Sequence, residues 1–155
     1  MEHARGDHDH KGHQDHPPLK ASAHATLHCL IGCFIGEAIG VGLGVWFGLG
    51  VVLTIATGVV FAYIFGFALA LVPLMRSMNL SLAGAMRVVW LGEAISIAVM
   101  EIVMNSVDYW IGGLQATSIG QPVFWIGLAA AAPAGFLAAW PVNHWLLKKE
   151  IRAPH

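Results

Sequence analysis

Residues 49–75 form an uninterrupted apolar stretch, LGVVLTIATGVVFAYIFGFALALVPLM, that contains no Asp, Glu, Lys or Arg. About 20 consecutive apolar residues are enough for an α-helix to cross the hydrocarbon core of a bilayer. Pro73 is expected to mark the exit of this helix. Three other stretches are nearly as apolar, and they cover residues 21–47, 82–107 and 121–147. The sequence therefore predicts an all-α polytopic membrane protein, a compact bundle of four transmembrane helices with short connections.

The overall composition supports this prediction. Only 11% of the 155 residues are charged and 57% are hydrophobic, whereas soluble domains carry about 25% charged residues. A chain of this size must expose much of its surface, so this charge content is too low for a protein in water. A soluble enzyme, a nucleic-acid-binding module and a secreted disulfide scaffold are thereby excluded, and the lipid bilayer is the expected partner.

The positions of the basic residues predict the orientation of the chain. All eight lie in residues 1–20, at Arg76 and Arg87 around the second connection, or in residues 148–155. Because Lys and Arg favour the cytoplasmic side, both termini are expected in the cytoplasm. We expect a disordered tail at 1–20, a transmembrane domain at 21–147 and a short basic tail at 148–155.

Glycines recur at every fourth position of the first span. Such a small-xxx-small pattern lets a second helix approach closely. One interpretation is helix packing within a single bundle, and the other is a subunit interface in a homo-oligomer or a larger membrane complex. The glycines concerned are Gly32, Gly36, Gly40, Gly44 and Gly48.

Imidazole and thiol groups lie on two adjacent rows of the first span. His24 and His28 form one row, and Cys29 and Cys33 begin the other, because a step of four residues turns a helix by about 40°. The fourth span brings His144 back to the same end of the bundle. These five residues are candidate metal ligands, since thiolate and imidazole suit copper or zinc. The alternative is that the cysteines are small apolar core residues.

Three carboxylates are embedded in the spans. Ionisable groups are costly in a bilayer and usually face a bundle interior or a cavity. We expect Glu37 and Glu93 at similar depth near the middle, with Glu101 further out beside Met100 and Met104. The carboxylates either exchange protons as an ion passes or form hydrogen bonds between helices. The methionines are either soft ligands or core-filling residues.

The N-terminal tail contains five histidines interleaved with aspartates. Short His-rich tracts are typical of zinc, copper or nickel binding. The alternative is a solvated tail without a metal. The histidines are His3, His8, His10, His13 and His16.

Four short motifs support a family resemblance. They are HCLIGC at 28–33, EAIS at 93–96, MEIVMN at 100–105 and PVN at 141–143. With these motifs the chain, from residue 21 to 152, resembles the small bacterial membrane proteins grouped as domain of unknown function 4396. The resemblance implies a compact multi-span protein of the bacterial inner membrane, with a link to the handling of copper or heavy metals.

Three functions are consistent with these features. The first is an integral membrane protein that binds or transports copper or zinc through the His/Cys cluster and the embedded carboxylates. The second is a structural or assembly subunit without metal. The third is a redox protein that uses its thiols, or a haem held by His28 and His144. The sequence contains no nucleophile–base set and no phosphate-binding loop, so no enzymatic activity is predicted and no nucleic-acid partner is expected.

Overall fold

The protein is a bundle of four long helices. The structure, a computed structural model, describes residues 19–149. Each helix is long and apolar enough to cross a membrane, and no strand occurs within residues 19–149. The all-α fold with four candidate membrane spans is thus confirmed. The elements are α1 (Leu19–Trp46), α2 (Val51–Met78), α3 (Leu82–Ile111), a 3-10 turn (Gly113–Gln115) and α4 (Pro122–Lys148).

Consecutive helices pack side by side, and α4 also packs against α1, which closes the ring. Helices α1 and α3 therefore lie on one diagonal, run in the same direction and approach each other in the interior. We call the end where α1 and α3 begin the proximal end. The opposite end, which contains the connections after α1 and α3, is the distal end.

The closest helix packing joins α1 to α2 through glycines. A Cβ atom on Gly36 would lie 2.5 Å from the Cα of Ala62, and one on Gly40 would lie 2.5 Å from the carbonyl oxygen of Thr57. The Thr57 hydroxyl also donates a 2.9 Å hydrogen bond to the Gly40 carbonyl. The described contacts therefore support the first interpretation of the glycine pattern, packing within one bundle. The glycines that pack against α2 in this way are Gly32, Gly36, Gly40 and Gly44.

Gly48 has a different role, so its predicted place in the packing row is wrong. It lies beyond the end of α1, and a Cβ atom there would meet nothing within 4 Å. Its φ of +63° belongs to the left-handed region, which residues with a Cβ atom rarely adopt. Gly48 therefore serves the turn between α1 and α2.

Helix α2 continues through Pro73 as far as Met78, so the expected exit at Pro73 is wrong. Proline has no N–H, which leaves the carbonyl four residues earlier, that of Leu69, without its helical partner. His28 on α1 supplies the missing donor, since its Nε2 lies 3.0 Å from the Leu69 oxygen. This bond between helices allows the helix to continue past the proline inside a membrane.

Candidate functional site

Buried polar side chains follow the α1–α3 diagonal through the bundle interior. Helix α1 contributes Cys29, Cys33 and Glu37, each at most 3% exposed. Steps of three to five residues along α3 return its polar groups to the facing side. The members of this row on α3 are Glu93, Ser96, Glu101, Asn105 and Asp108.

Cys29 and Cys33 form the centre of this polar row, and no disulfide joins them. The Ser96 hydroxyl donates to the Cys29 sulfur over 3.5 Å. Cys33 follows Cys29 by one helical turn, so the two side chains are neighbours on α1, and Glu101 on α3 is close enough to Cys33 to interact with it electrostatically. Glu101 Oε2 in turn accepts a 3.2 Å hydrogen bond from Asn105 Nδ2. The two thiols and the carboxyl group are therefore one connected polar unit.

The Ser96–Cys29 contact fixes the register of α1 against α3, and it shows that the expected common depth of Glu37 and Glu93 is wrong. Glu37 lies eight residues beyond Cys29, and Glu93 lies three residues before Ser96. At 1.5 Å per residue the two carboxyl positions are about 16 Å apart along the bundle axis. Glu93 thus belongs to the proximal half, and Glu37 belongs to the distal half.

The distal carboxyl cluster consists of Glu37, Glu101 and Asp108. Glu37 lies close enough to the other two to interact with them electrostatically. Both carboxyl oxygens of Glu37, Oε1 of Glu101 and Oδ1 of Asp108 are buried without a hydrogen-bond partner. Glu101 and Asn105 also line a groove of about 250 Å³ between α2 and α3. The distal interior is therefore rich in unsatisfied acceptors.

Asp108 was not among the predicted site residues, although it is only 1% exposed. Its carboxyl group lies between the backbones of Gly113 and Gly127, and a Cβ atom at either glycine would collide with Asp108 Oδ1. The sequence feature that could have indicated this site is therefore indirect. It consists of two glycines from separate segments, whose meeting at Asp108 depends on the tertiary structure.

The predicted histidine ligands lie in three different surroundings. His24 is exposed on the bundle surface, His28 bonds to the Leu69 carbonyl, and His144 is half-buried with an unbonded Nδ1. Within residues 19–149 no three His, Cys, Asp or Glu side chains are grouped so that they could hold a metal ion. The five-residue ligand set therefore stays a prediction, of which the structure places the two cysteines one helical turn apart on α1.

A seam of hydrogen bonds joins α1 to α4 in the proximal half, and no pattern in the sequence predicted it. Trp140 Nε1 donates to the Ser22 hydroxyl over 3.1 Å. Asn143 Nδ2 donates to the Thr26 hydroxyl over 2.8 Å, and Thr26 donates to the Ser22 carbonyl. Single serines and threonines in a span are common, so only their pairing across helices reveals this seam.

The two buried methionines of α3 pack against α4. A Cβ atom on Gly135 would lie 2.6 Å from Met104 Cγ and 3.1 Å from Met100 Cγ. Both side chains are fully buried. This packing supports the core-filling interpretation of the methionines.

The predicted tail ligands fall outside the part of the chain that the structure describes. They are His3, His8, His10, His13 and His16. The end of the basic C-terminal tail, from residue 150 onwards, lies outside it as well.

Comparison with known families agrees with this architecture. The profile of a family described as a domain of unknown function (DUF4396) matches residues 20–152. The chain belongs to the DUF4396 family. The match includes all four helices and the whole thiol and carboxyl site. No curated protein and no solved structure matches the chain.

Proposed function

We propose that this DUF4396 member binds a soft metal ion, Cu(I), as cargo at the thiol pair Cys29 and Cys33 and moves it between the two membrane faces. The observation that carries the proposal is the pair of buried free thiols one helical turn apart on α1, with the Glu101 carboxyl group near Cys33. Thiolates are the ligands that select Cu(I). Their burial in a helix bundle keeps the ion away from water.

The geometry favours Cu(I) over Zn(II). Structural and catalytic Zn(II) sites take at least three protein ligands in a tetrahedral arrangement. Cu(I) is satisfied by two sulfur ligands, which is what Cys29 and Cys33 offer. In residues 19–149 no three His, Cys, Asp or Glu side chains are grouped to hold a metal ion, so a site at the thiol pair would have two protein ligands.

Binding of Cu(I) requires the thiols to lose their protons, because the thiolate is the ligand. Glu101 lies near Cys33 and has one carboxyl oxygen without a hydrogen-bond partner. It is therefore placed to accept a proton when the metal binds and to return it when the metal leaves. Transport would then be coupled to proton movement.

The proposed orientation places both termini in the cytoplasm of a bacterium. Arg76, Arg87 and Lys148 lie at or near the proximal end, and residues 88–143, which include the distal connection after α3, contain no basic residue. Lys and Arg are enriched on the cytoplasmic side of bacterial inner-membrane proteins. In this orientation the His-rich tail would collect metal on the side from which the thiol pair is loaded.

The other two hypotheses have less support from the contacts. An assembly subunit that docks through the glycines of α1 would need a face that α2 already covers. A haem held by His28 and His144 would need His28 Nε2 to leave the Leu69 carbonyl. No reaction is proposed for the protein.

The test is Cu(I) binding to the purified full-length chain in detergent, measured by competition with the chelator bathocuproine disulfonate. The double variant C29S/C33S should bind about one Cu(I) less per chain than the wild type. Each single variant should bind more weakly by about 100-fold, because removal of one thiolate leaves an incomplete site.

The matched control is Met86→Leu, which removes a soft sulfur atom from a half-exposed position on α3. It should leave Cu(I) binding unchanged. Helix content and a single elution peak establish that the serine variants are folded. Equal Cu(I) binding by the wild type and by folded C29S/C33S would rule out the thiol pair as the cargo site.

A further inference from the structure

The distal interior contains acceptor atoms and no matching cation. Five oxygen atoms there are buried without a hydrogen-bond partner, and each belongs to a carboxyl or amide group. They are Glu37 Oε1 and Oε2, Glu101 Oε1, Asn105 Oδ1 and Asp108 Oδ1. Residues 33–75 and 88–143 contain no Lys, Arg or His. Within residues 19–149, these apolar segments therefore offer no basic side chain to the carboxyl groups.

An ionised carboxylate in a membrane interior is costly unless a cation, a proton or hydrogen-bond donors compensate it. Groups that compensate the distal cluster must therefore carry positive charge or donate hydrogen bonds, and a proton on one carboxyl group does so. Within residues 19–149 no three such groups converge on a point suited to a metal ion. Carboxyl groups that are close but not convergent suit the transfer of protons from one to the next, which requires no common centre.

The three carboxyl groups follow one another in space from the thiol pair to the distal end. Glu101 lies near Cys33, and Asp108 lies seven residues further along α3, about 10 Å towards the distal end. Glu37 faces α3 from α1 and interacts electrostatically with both. Asp108 precedes the end of α3 by one helical turn, so it is the carboxyl group of this row that lies nearest the distal end.

At the distal end two glycines leave space for the Asp108 carboxyl group, and a surface cavity lies nearby. Gly113 and Gly127 have no side chain where a Cβ atom would strike Asp108 Oδ1. Leu114, the neighbour of Gly113, lines a surface cavity of about 310 Å³ at the distal end. The 3-10 turn at Gly113–Gln115 therefore lies next to the carboxyl group through Gly113 and next to the cavity through Leu114 and Gln115.

We propose that Glu101, Glu37 and Asp108 form a proton path that links the thiol pair to the distal membrane face. In each step a proton leaves the carboxyl group of one residue and joins the carboxylate of the next, directly or through water, and no electron is transferred. The path would carry the protons that Cys29 and Cys33 release, and in this respect it rests on the proposed function. The case for the path itself comes from the unsatisfied carboxyl oxygens.

The experiment is proton flux into liposomes that contain the full-length protein and an internal pH-sensitive dye, pyranine. A potassium diffusion potential with valinomycin drives the flux, once without metal and once with Cu(I) outside. Wild-type vesicles should change pH faster than protein-free vesicles in at least one condition. Asp108→Asn and Glu37→Gln should each lower the rate by about tenfold or more, because neither amide can pass on a proton.

The matched control is Ser106→Ala on the same helix. The Ser106 hydroxyl is exposed and bonds only within α3, to the Ile102 carbonyl, so its loss should leave the flux unchanged. If Asp108→Asn does not fold, the wild type is treated instead with dicyclohexylcarbodiimide, an apolar reagent for protonated carboxyl groups. Mass spectrometry should then locate the label on Asp108 or Glu37, and labelling should stop the flux.

Two results would overturn the proton path. One is a wild-type flux equal to that of protein-free vesicles in both conditions. The other is an unchanged flux in folded Asp108→Asn or in labelled wild-type protein. Loss of Cu(I) binding is measured separately in C29S/C33S, so a protein that conducts protons but binds no Cu(I) rejects the cargo site and keeps the path.

Discussion

The proximal and distal halves of the bundle interior differ in how far their polar groups are paired, although His144 Nδ1 in the proximal half also lacks a hydrogen-bond partner within residues 19–149. In the proximal half, hydroxyl, amide, indole and imidazole groups pair across helices, as in the Asn143–Thr26, Trp140–Ser22 and His28–Leu69 bonds. In the distal half, Glu37 and Asp108 keep buried oxygens without partners. Since an unsatisfied buried polar group costs about 1–3 kcal/mol, the distal groups lower stability.

This difference indicates which polar residues serve the fold and which serve the function. A paired group stabilises the helices that it joins, and its presence needs no further reason. An unpaired buried carboxyl group destabilises the fold, so we attribute its presence to the proposed transfer of protons. On this basis the hydrogen bonds between α1 and α4 in the proximal half are structural, and the distal carboxyl groups are functional.

The largest effect on stability is expected at the packing of the α1 glycines against α2, because this contact runs through both halves of the bundle. Gly36→Ala should lower the free energy of unfolding by about 3 kcal/mol, because the added methyl group meets the Ala62 backbone, which cannot yield as a side chain can. Titration with sodium dodecyl sulfate measures this loss. Gly42→Ala is the control, since its Cβ atom would lie 3.9 Å from the nearest neighbour, the Phe124 ring.

A loss of stability in Gly36→Ala no greater than in Gly42→Ala would show that α1 and α2 do not pack as described. Alanine favours helix over glycine by about 1 kcal/mol, so the control should be neutral or slightly more stable than the wild type.

A smaller effect is expected at His28, which tests whether the proximal half is structural. His28→Ala should lower the free energy of unfolding by about 1 kcal/mol, because the Leu69 carbonyl loses its donor. Cu(I) binding at the thiol pair should persist. His24→Ala, at an exposed position, should change neither quantity. A loss of Cu(I) binding in folded His28→Ala would instead return His28 to the ligand set.

The four spans could be predicted from the sequence, because the length of an apolar run is set by the bilayer. Their ends could not, as α2 shows. The expected exit at Pro73 ignored a donor from another helix, the His28 imidazole, which bonds to the Leu69 carbonyl that the proline leaves without a helical partner.

The site was predictable in its residue types and less so in its arrangement. Periodicity placed Cys29, Cys33 and Glu37 on one face of the first span, but the axial offset between two helices leaves no mark in either sequence. The level of Glu37 relative to Glu93 therefore required the Ser96–Cys29 contact. The importance of Asp108 depends on two glycines that meet only in the folded chain.

The most direct test of the contrast between the halves is to make one buried polar group apolar in each half. Thr26→Val removes a hydroxyl that bonds twice, and it should lower the free energy of unfolding by about 1–2 kcal/mol. Glu37→Met replaces an unsatisfied carboxyl group with an apolar group of similar volume, and it should raise that free energy by about 1 kcal/mol. Opposite signs are the predicted result. A loss of stability in Glu37→Met as large as in Thr26→Val would show that Glu37 is a structural hydrogen-bonding residue, and it would contradict the account.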